Sequence, residues 1–305
     1  MDTADHQVHA PIALFAYNRP WHLRKTVEAL KANDLSGSSN LIVYSDGPKD
    51  ERDERLVNEV RRYIDQIEGF KHIEVIKRNS NWGLAENIID GVTDVVNQYG
   101  RIIVLEDDLV TSPYFLKFMN DALDIYEDED KVMNVCGYMF PVKTTGQPFT
   151  WFYRGTPCWG WATWKRAWNY FDRNVDQIIN QFSAQMKYRF NLDGKRDFWR
   201  QLEMNKNGEI RTWAIFWYAS VFLNGGLSLM PSVSLVSNIG GDMAGTHCQA
   251  KSHGSVEVYN YPIKIAKCEL VESEDILFLV KRFFTNKKQF LFSQGLSFLR
   301  KKFGC

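Results

Sequence analysis

The strongest constraint on the fold is an alternation. In the first third of the chain, short apolar runs are separated by longer segments whose apolar residues recur at helical spacing. The runs over 11–17, 41–45, 72–76 and 101–105 read as buried strands, rich in Ile, Leu and Val. Between them, the segments 21–32, 51–67 and 84–99 read as helices, with Leu23, Val27 and Leu30 on one face of the first. Strands interleaved with helices of this length predict βαβ units, an α/β class with a mainly parallel sheet flanked by helices. Ligands bind such sheets beyond the carboxyl ends of the strands. Chemistry is therefore expected just after Tyr17, Ser45, Ile76 and Leu105.

The second half is less regular. A helix is predicted over 114–126, a strand over 132–135, a buried helix over 216–222 and a short strand over 226–230. The stretch 148–168 is dense in aromatics and glycine. Composition narrows the class further. Apolar residues make up 45% of the 305 and charged residues 24%, which excludes disorder for most of the chain. The 37 basic and 37 acidic side chains balance, so the surplus typical of nucleic-acid binders is missing. Five cysteines at wide spacing form no CxxC pair, which argues against a zinc knuckle or disulfide scaffold and for a reduced compartment. Met1 to Ala10 is polar, so no signal peptide is expected, and no apolar stretch approaches the ~18 residues of a membrane span.

Four sheet-edge segments carry the chemistry. Arg101-Ile-Ile-Val-Leu-Glu106-Asp107-Asp108 is an apolar strand that delivers three consecutive carboxylates. Like charges so close repel and raise one another's pKa, which a hard divalent cation relieves. A solvated acidic turn or a helix cap fits the same residues. Asp46-Gly47 puts a further carboxylate at the edge, suited to a ribose hydroxyl or a base imide but equally to a strand-ending turn. Tyr17-Asn18-Arg19-Pro20 offers a ring to stack a base and a guanidinium for phosphate, or else a helix cap. Lys77-Arg78-Asn79 adds positive charge.

Together with Gly160-Trp-Ala-Thr-Trp164 and Gly225-Gly-Leu-Ser-Leu-Met-Pro231, these segments resemble the nucleotide-sugar glycosyltransferases of GT-A fold. The resemblance is closest to the N-acetylglucosaminyltransferase I-like branch and related bacterial polysaccharide enzymes, and it runs in order through roughly 240 residues. It implies a Rossmann-like mixed sheet and an inverting transfer of a hexose or N-acetylhexosamine from a UDP-sugar to a glycan or lipid-linked acceptor. It further implies that Ala16, Tyr17 and Arg19 line the nucleotide pocket, that Asp46 binds uracil or ribose, and that Arg78 lies near the base. Glu106 and Asp107 match positions touching sugar and ribose, and Asp108 matches the ligand of a metal, Mn2+ or Mg2+.

Trp159, Gly160 and Trp161 suit a sugar platform, since indole faces stack on sugar C–H surfaces, though a packed aromatic core fits them as well. One departure concerns the general base. Related enzymes carry an acid in a Trp-Asp-x-x-Trp-like pattern, where this chain has Trp213-Ala214-Ile-Phe-Trp217. Asp242, Glu209 and Asp197 are the alternatives, with Asp242 favoured because it shares a Gly-rich loop with His247, itself a candidate phosphate or metal ligand.

The segment 276–305 carries Lys281, Arg282, Lys287, Lys288, Arg300, Lys301 and Lys302, seven Phe and no acid. Without it, 30 basic residues face 37 acidic ones. Basic, aromatic amphipathic helices of this kind fit an anionic membrane surface, while a helix docked by its Phe face is the alternative. The expected organisation is a catalytic domain over 1–270, with a nucleotide-binding half over 1–110 and an acceptor half over 111–270, followed by a basic tail over 271–305. The protein is expected in the cytoplasm, peripheral on the inner face of the membrane, without nucleic acid as a partner. Two rival readings remain open at this level: a sugar nucleotidyltransferase, and an inactive sugar-nucleotide-binding module.

Overall fold

The computed structural model describes residues 9–144, 149–241 and 256–285. An eight-stranded sheet has the order β3-β2-β1-β4-β8-β6-β9-β7. Its parallel part comprises β1 (Ile12–Ala16), β2 (Asn40–Ser45), β3 (His72–Lys77) and β4 (Arg101–Glu106). The central strand β1 is buried at every position, whereas edge strand β3 alternates with exposed residues. The pleat of β1 divides the core. Ile12, Leu14 and Ala16 join the cluster on one face, and Ala13 and Phe15 join the cluster on the other.

Local chemistry sets the helix boundaries. Helix α1 (Pro20–Lys31) begins on proline, whose missing N–H costs nothing there. Helix α2 (Glu51–Ile64) is capped by Asp50, which accepts from the Arg52 and Asp53 amides. Helix α3 (Leu84–Tyr99) lies between Gly83 and Gly100, both at positive φ. At Gly91, α3 meets the sheet so closely that a Cβ would lie 2.8 Å from the Phe15 ring.

Beyond β4 the sheet is mixed, antiparallel except for the parallel pair of Val132–Cys136 with Leu227–Pro231. Strand β5 (Leu109–Thr111) leaves it to pair with β10 (Val236–Asn238). Helix α4 (Phe115–Ile125) leads to β6 (Val132–Cys136), β7 (Thr150–Tyr153) and β8 (Trp161–Trp164), and β8 pairs antiparallel with both β4 and β6. Short helices α5 (Lys165–Trp168), α6 (Val175–Asn180), α7 (Ala184–Phe190) and α8 (Trp199–Lys206) precede α9 (Ala214–Leu223) and β9 (Leu227–Pro231). Helix α9 is buried almost throughout. Its Trp217 donates to Asn134 at 3.2 Å, which satisfies the one polar atom of a fully enclosed indole.

A further helix, α10, covers 274–285. Its Ile276, Leu277, Val280 and Phe284 are buried with Tyr138, Trp151, Tyr153 and Leu192. Lys281 bridges to Asp193 at 2.8 Å, and Arg154 clamps Glu272 and Asp193. The expectation of an interfacial helix is therefore corrected for residues 276–285: the apolar stripe faces the domain core. Residues 286–305 lie outside the described part. Among the described residues no helix is long and apolar enough to cross a membrane.

Candidate active site

The carboxyl ends of β1, β2 and β4 open into a cleft of about 430 Å³. Ala16, Tyr17, Arg19, Asp46, Glu106 and Asp107 all line it, so the parallel sheet brings most of the expected residues together. Tyr17 is fixed from two sides. Its hydroxyl donates to Asp53 on α2, and its amide donates to Asp107 at 3.2 Å. Asn18 donates to the other Asp53 oxygen at 2.9 Å. Burial, with the Asp53 hydrogen bond, drives the Tyr17 hydroxyl far above its ordinary pKa, so it stays a neutral donor.

The three carboxylates differ in their surroundings. Arg19 spans the second and third, with Nη2 on Asp107 and Nη1 at 3.0 Å from Asp108. Asp108 also accepts a 3.4 Å contact from Asn238, whose strand β10 runs beside β5. Gly240 completes this wall: a Cβ there would lie 2.2 Å from Asp108 Oδ2. Burial pushes the Asp107 carboxyl up despite the attraction of Arg19. Glu106 is different, since it accepts no hydrogen bond from the described residues and faces the cleft half-buried. Burial first, then the charges of Asp108 and Asp107, push its carboxyl up to about 8.

Asp46 lines the cleft, where uracil or ribose is expected, and its carboxylate is also engaged within the chain. Its Oδ1 accepts from the Gly47 and Trp82 amides, both at 2.9 Å. Its Oδ2 accepts from the Gly83 amide at 2.9 Å and from Asn81 at 3.0 Å. A carboxylate offers about four acceptor positions, and all are used. Asp46 thereby holds the turn that starts α3 against β2, where Gly47 approaches Ser80 too closely for any Cβ. Asp46→Ala is expected to cost about 2–3 kcal/mol, because buried amides lose a charged acceptor. A lowered urea midpoint with faster amide exchange at Trp82 and Gly83 checks this.

Arg78 is likewise engaged within the chain. Its guanidinium stands behind the cleft lining, donating to Asp90 and, at 3.1 Å, to Asn87, with its Cζ 3.8 Å from the Trp82 ring centre. Trp161 is no platform either. It is 1% exposed and stacks on Trp213 at 5.3 Å, inside a cluster with Trp168 and Trp217. Gly160 adopts φ +59°, and a Cβ there would meet Val236 at 2.8 Å, so packing accounts for it. Trp159, which precedes β8 across the Gly160 turn, lines a separate cavity. Asp242 and His247 lie outside the described residues. Glu209 lines the cleft and accepts from Asn207 at 3.0 Å, whereas Asp197 caps the turn before α8.

The sequence reading passed over two cleft residues, Lys49 and Arg211, which have no ion-pair partner among the described residues. Each is a lone cation in a loop, which leaves no periodic signal.

The family model of glycosyl transferase family 2 matches residues 12–185. No curated protein matches the chain by sequence. Among solved structures, TarS from S. aureus aligns at 16% identity and TM-score 0.29 over 48% of this chain and 23% of that one. Its 1–349 fragment aligns at 11% identity and TM-score 0.41 over 76% and 62%. The mannosyltransferase PcManGT from Pyrobaculum calidifontis, solved with GDP-Man and Mn2+, aligns at 9% identity and TM-score 0.40 over 72% and 70%. The chain thus spans less than two thirds of both TarS chains. With a match that covers more than half its length, the chain belongs to glycosyl transferase family 2.

Proposed function

We propose that the protein transfers a hexose or N-acetylhexosamine from a UDP-sugar to a hydroxyl of a glycan or lipid-linked acceptor, with inversion, in surface polysaccharide synthesis. The observation that carries this reading is that Glu106 and Asp107, at the carboxyl end of β4, line a cleft rimmed by Lys49 and Arg211, with Asp108 buried next to them. The two cations suit a diphosphate.

The residues fit a divalent cation. Asp107 and Asp108 share one internal guanidinium, which leaves an excess of negative charge beside Glu106. Asp108 Oδ1 has only the long Asn238 contact, so it keeps acceptor capacity. Among the described residues no three metal-ligating side chains converge. One carboxylate plus substrate phosphates is, however, a common way of holding Mg2+, and hard oxygen donors suit Mn2+ too. Asp108 would hold the ion, which when bound supplies charge stabilisation to the departing diphosphate.

The chain's own groups do the rest. Tyr17, locked by Asp53 and Asp107, presents its ring to the base. Lys49 and Arg211 offset the charge that grows on the leaving UDP. The acceptor oxygen attacks the anomeric carbon, the bond from that carbon to the UDP oxygen breaks, and UDP departs with the electron pair. The acceptor proton passes to Glu106 in its ionised form, which a cation held at Asp108 would favour by offsetting the neighbouring carboxylate charge. A panel of nucleotide sugars with Mn2+ or Mg2+ tests the reading. Metal-dependent release of UDP, with product of inverted anomeric configuration by NMR, is expected. Absence of both UDP binding and UDP release would sink it.

The membrane proposal now rests on Lys287, Lys288, Arg300, Lys301 and Lys302, since residues 276–285 pack on the domain. Each such charge near anionic lipid is worth about 1 kcal/mol. A variant ending at 285 is expected to stay folded and to lose flotation with phosphatidylglycerol vesicles. Equal flotation of both forms would refute a membrane role for 286–305.

A further inference from the structure

The aromatic cavity beside the cleft is left unused by the chemistry above. We infer that it is the acceptor subsite and that it selects an acceptor sugar carrying an anionic group; the inference rests on the transfer reading just given. The cavity has a volume of about 240 Å³, with walls from Tyr138, Trp159, Tyr218 and Phe284. That is below the ~300 Å³ at which pockets for larger ligands begin, so it suits a single ring. Trp159 meets Tyr138 edge-on at 4.6 Å, which leaves aromatic faces for sugar C–H surfaces.

Two polar groups point to the rest of the ligand. Thr156 is 9% exposed, and its buried hydroxyl has no hydrogen-bond partner among the described residues. Such a group is costly to bury unless something pairs with it, and a sugar hydroxyl would. Arg196 stands at the wall, its guanidinium 5.5 Å from the Phe284 ring and 5.9 Å from Phe198. It forms no ion pair with any described residue. The neighbouring carboxylates are spent elsewhere, Glu272 on Arg154 and Asp193 on Arg154 and Lys281. Among the described residues no Asp or Glu lines the cavity. Its electrostatics therefore favour an anion.

The position relative to the cleft fits an acceptor. Cys158 in the cavity wall lies close enough to Glu106 to feel its charge. Ala214 borders the cavity at the start of α9, and Arg211, just before it, lines the cleft. An acid at 214 would oppose an anionic acceptor with like charge, and alanine removes that repulsion. The absence of the acid and the presence of Arg196 thus point the same way.

The anion could be a carboxylate or a phosphate, and the test separates them. Full-length protein is titrated, by tryptophan fluorescence and saturation-transfer NMR, with methyl glucuronide, glucose 1-phosphate and methyl glucoside. At least one anionic probe is expected to bind 10-fold or more tightly than the neutral one. Preference for the glucuronide identifies a uronic-acid acceptor, and preference for the phosphate a sugar phosphate. Arg196→Gln is expected to bring the anion down to the neutral level with UDP binding unchanged, and Thr156→Val to weaken all probes several-fold. Equal binding of the neutral glycoside, or undiminished anion binding in R196Q, would overturn the inference. Anion binding in a protein that fails to bind UDP would instead overturn the acceptor role, by removing the transfer reading beneath it.

Discussion

Replacing Arg19 with alanine is expected to lower the unfolding free energy by about 3–5 kcal/mol, the usual cost of removing one partner from a buried ion pair. The guanidinium touches Asp107 and Asp108, whose side chains are 3% and 7% exposed. Glu106 adds a third carboxylate beside them, and no other cation pairs with Asp107 or Asp108 among the described residues. The Tyr17 amide and the Asn238 side chain remain as donors, but neither carries charge. Arg19→Lys should fall between wild type and alanine, since one ammonium cannot bridge both carboxylates as the forked guanidinium does. Millimolar Mg2+ or Mn2+ should restore part of the loss in the alanine variant and add less to wild type, where Arg19 already offsets the charge. Urea denaturation with and without the metal reads all of this. An alanine variant with the wild-type midpoint would show that Arg19 is not what makes the carboxylate run tolerable.

That pair also marks the boundary of what the sequence discloses. The βαβ alternation is legible because each element's pattern is local. Helix α3 is found at Leu84–Tyr99 as read, because flanking glycines fix both ends. The carboxylate run is legible because three consecutive acids after an apolar strand have few uses. What stays hidden depends on contacts distant in sequence. Asp46 reads as an open ligand until Asn81, Trp82 and Gly83 fold back onto it. Arg78 points to α3 because Asp90 and Asn87, a helix away, claim it. Trp159 and Trp161 read alike, yet Trp159 precedes β8 and Gly160, at φ +59°, turns the backbone between them, so one lines a cavity while the other packs in the core. An amphipathic stripe such as Ile276, Leu277, Val280 and Phe284 is the same pattern whether it meets lipid or protein.

Glu106→Gln carries the largest expected effect on activity, a fall in kcat of about 10²–10⁴, the range that a positioned general base contributes. Glutamine keeps the shape and the hydrogen-bonding reach of the side chain but cannot accept the acceptor's proton. UDP binding should therefore change little, and UDP-sugar hydrolysis by water should fall with transfer if both need the same base. The other carboxylates of the cleft are less available than Glu106. Asp46 has no acceptor position left, Asp107 is held by Arg19 and the Tyr17 amide, and Glu209, hydrogen-bonded by Asn207, is exposed to water where Glu106 is half-buried. Ala214 contributes no carboxylate where the resembling enzymes have one. Single-turnover kinetics at saturating donor separates the two roles open to Glu106. A loss confined to KM for the donor would make it a sugar contact, and a loss in the chemical step with unaltered donor affinity would make it the base. A Glu106→Gln enzyme with wild-type kcat would return the search to Asp242, and the parallel variant Asp242→Asn would then be the one expected to lose turnover.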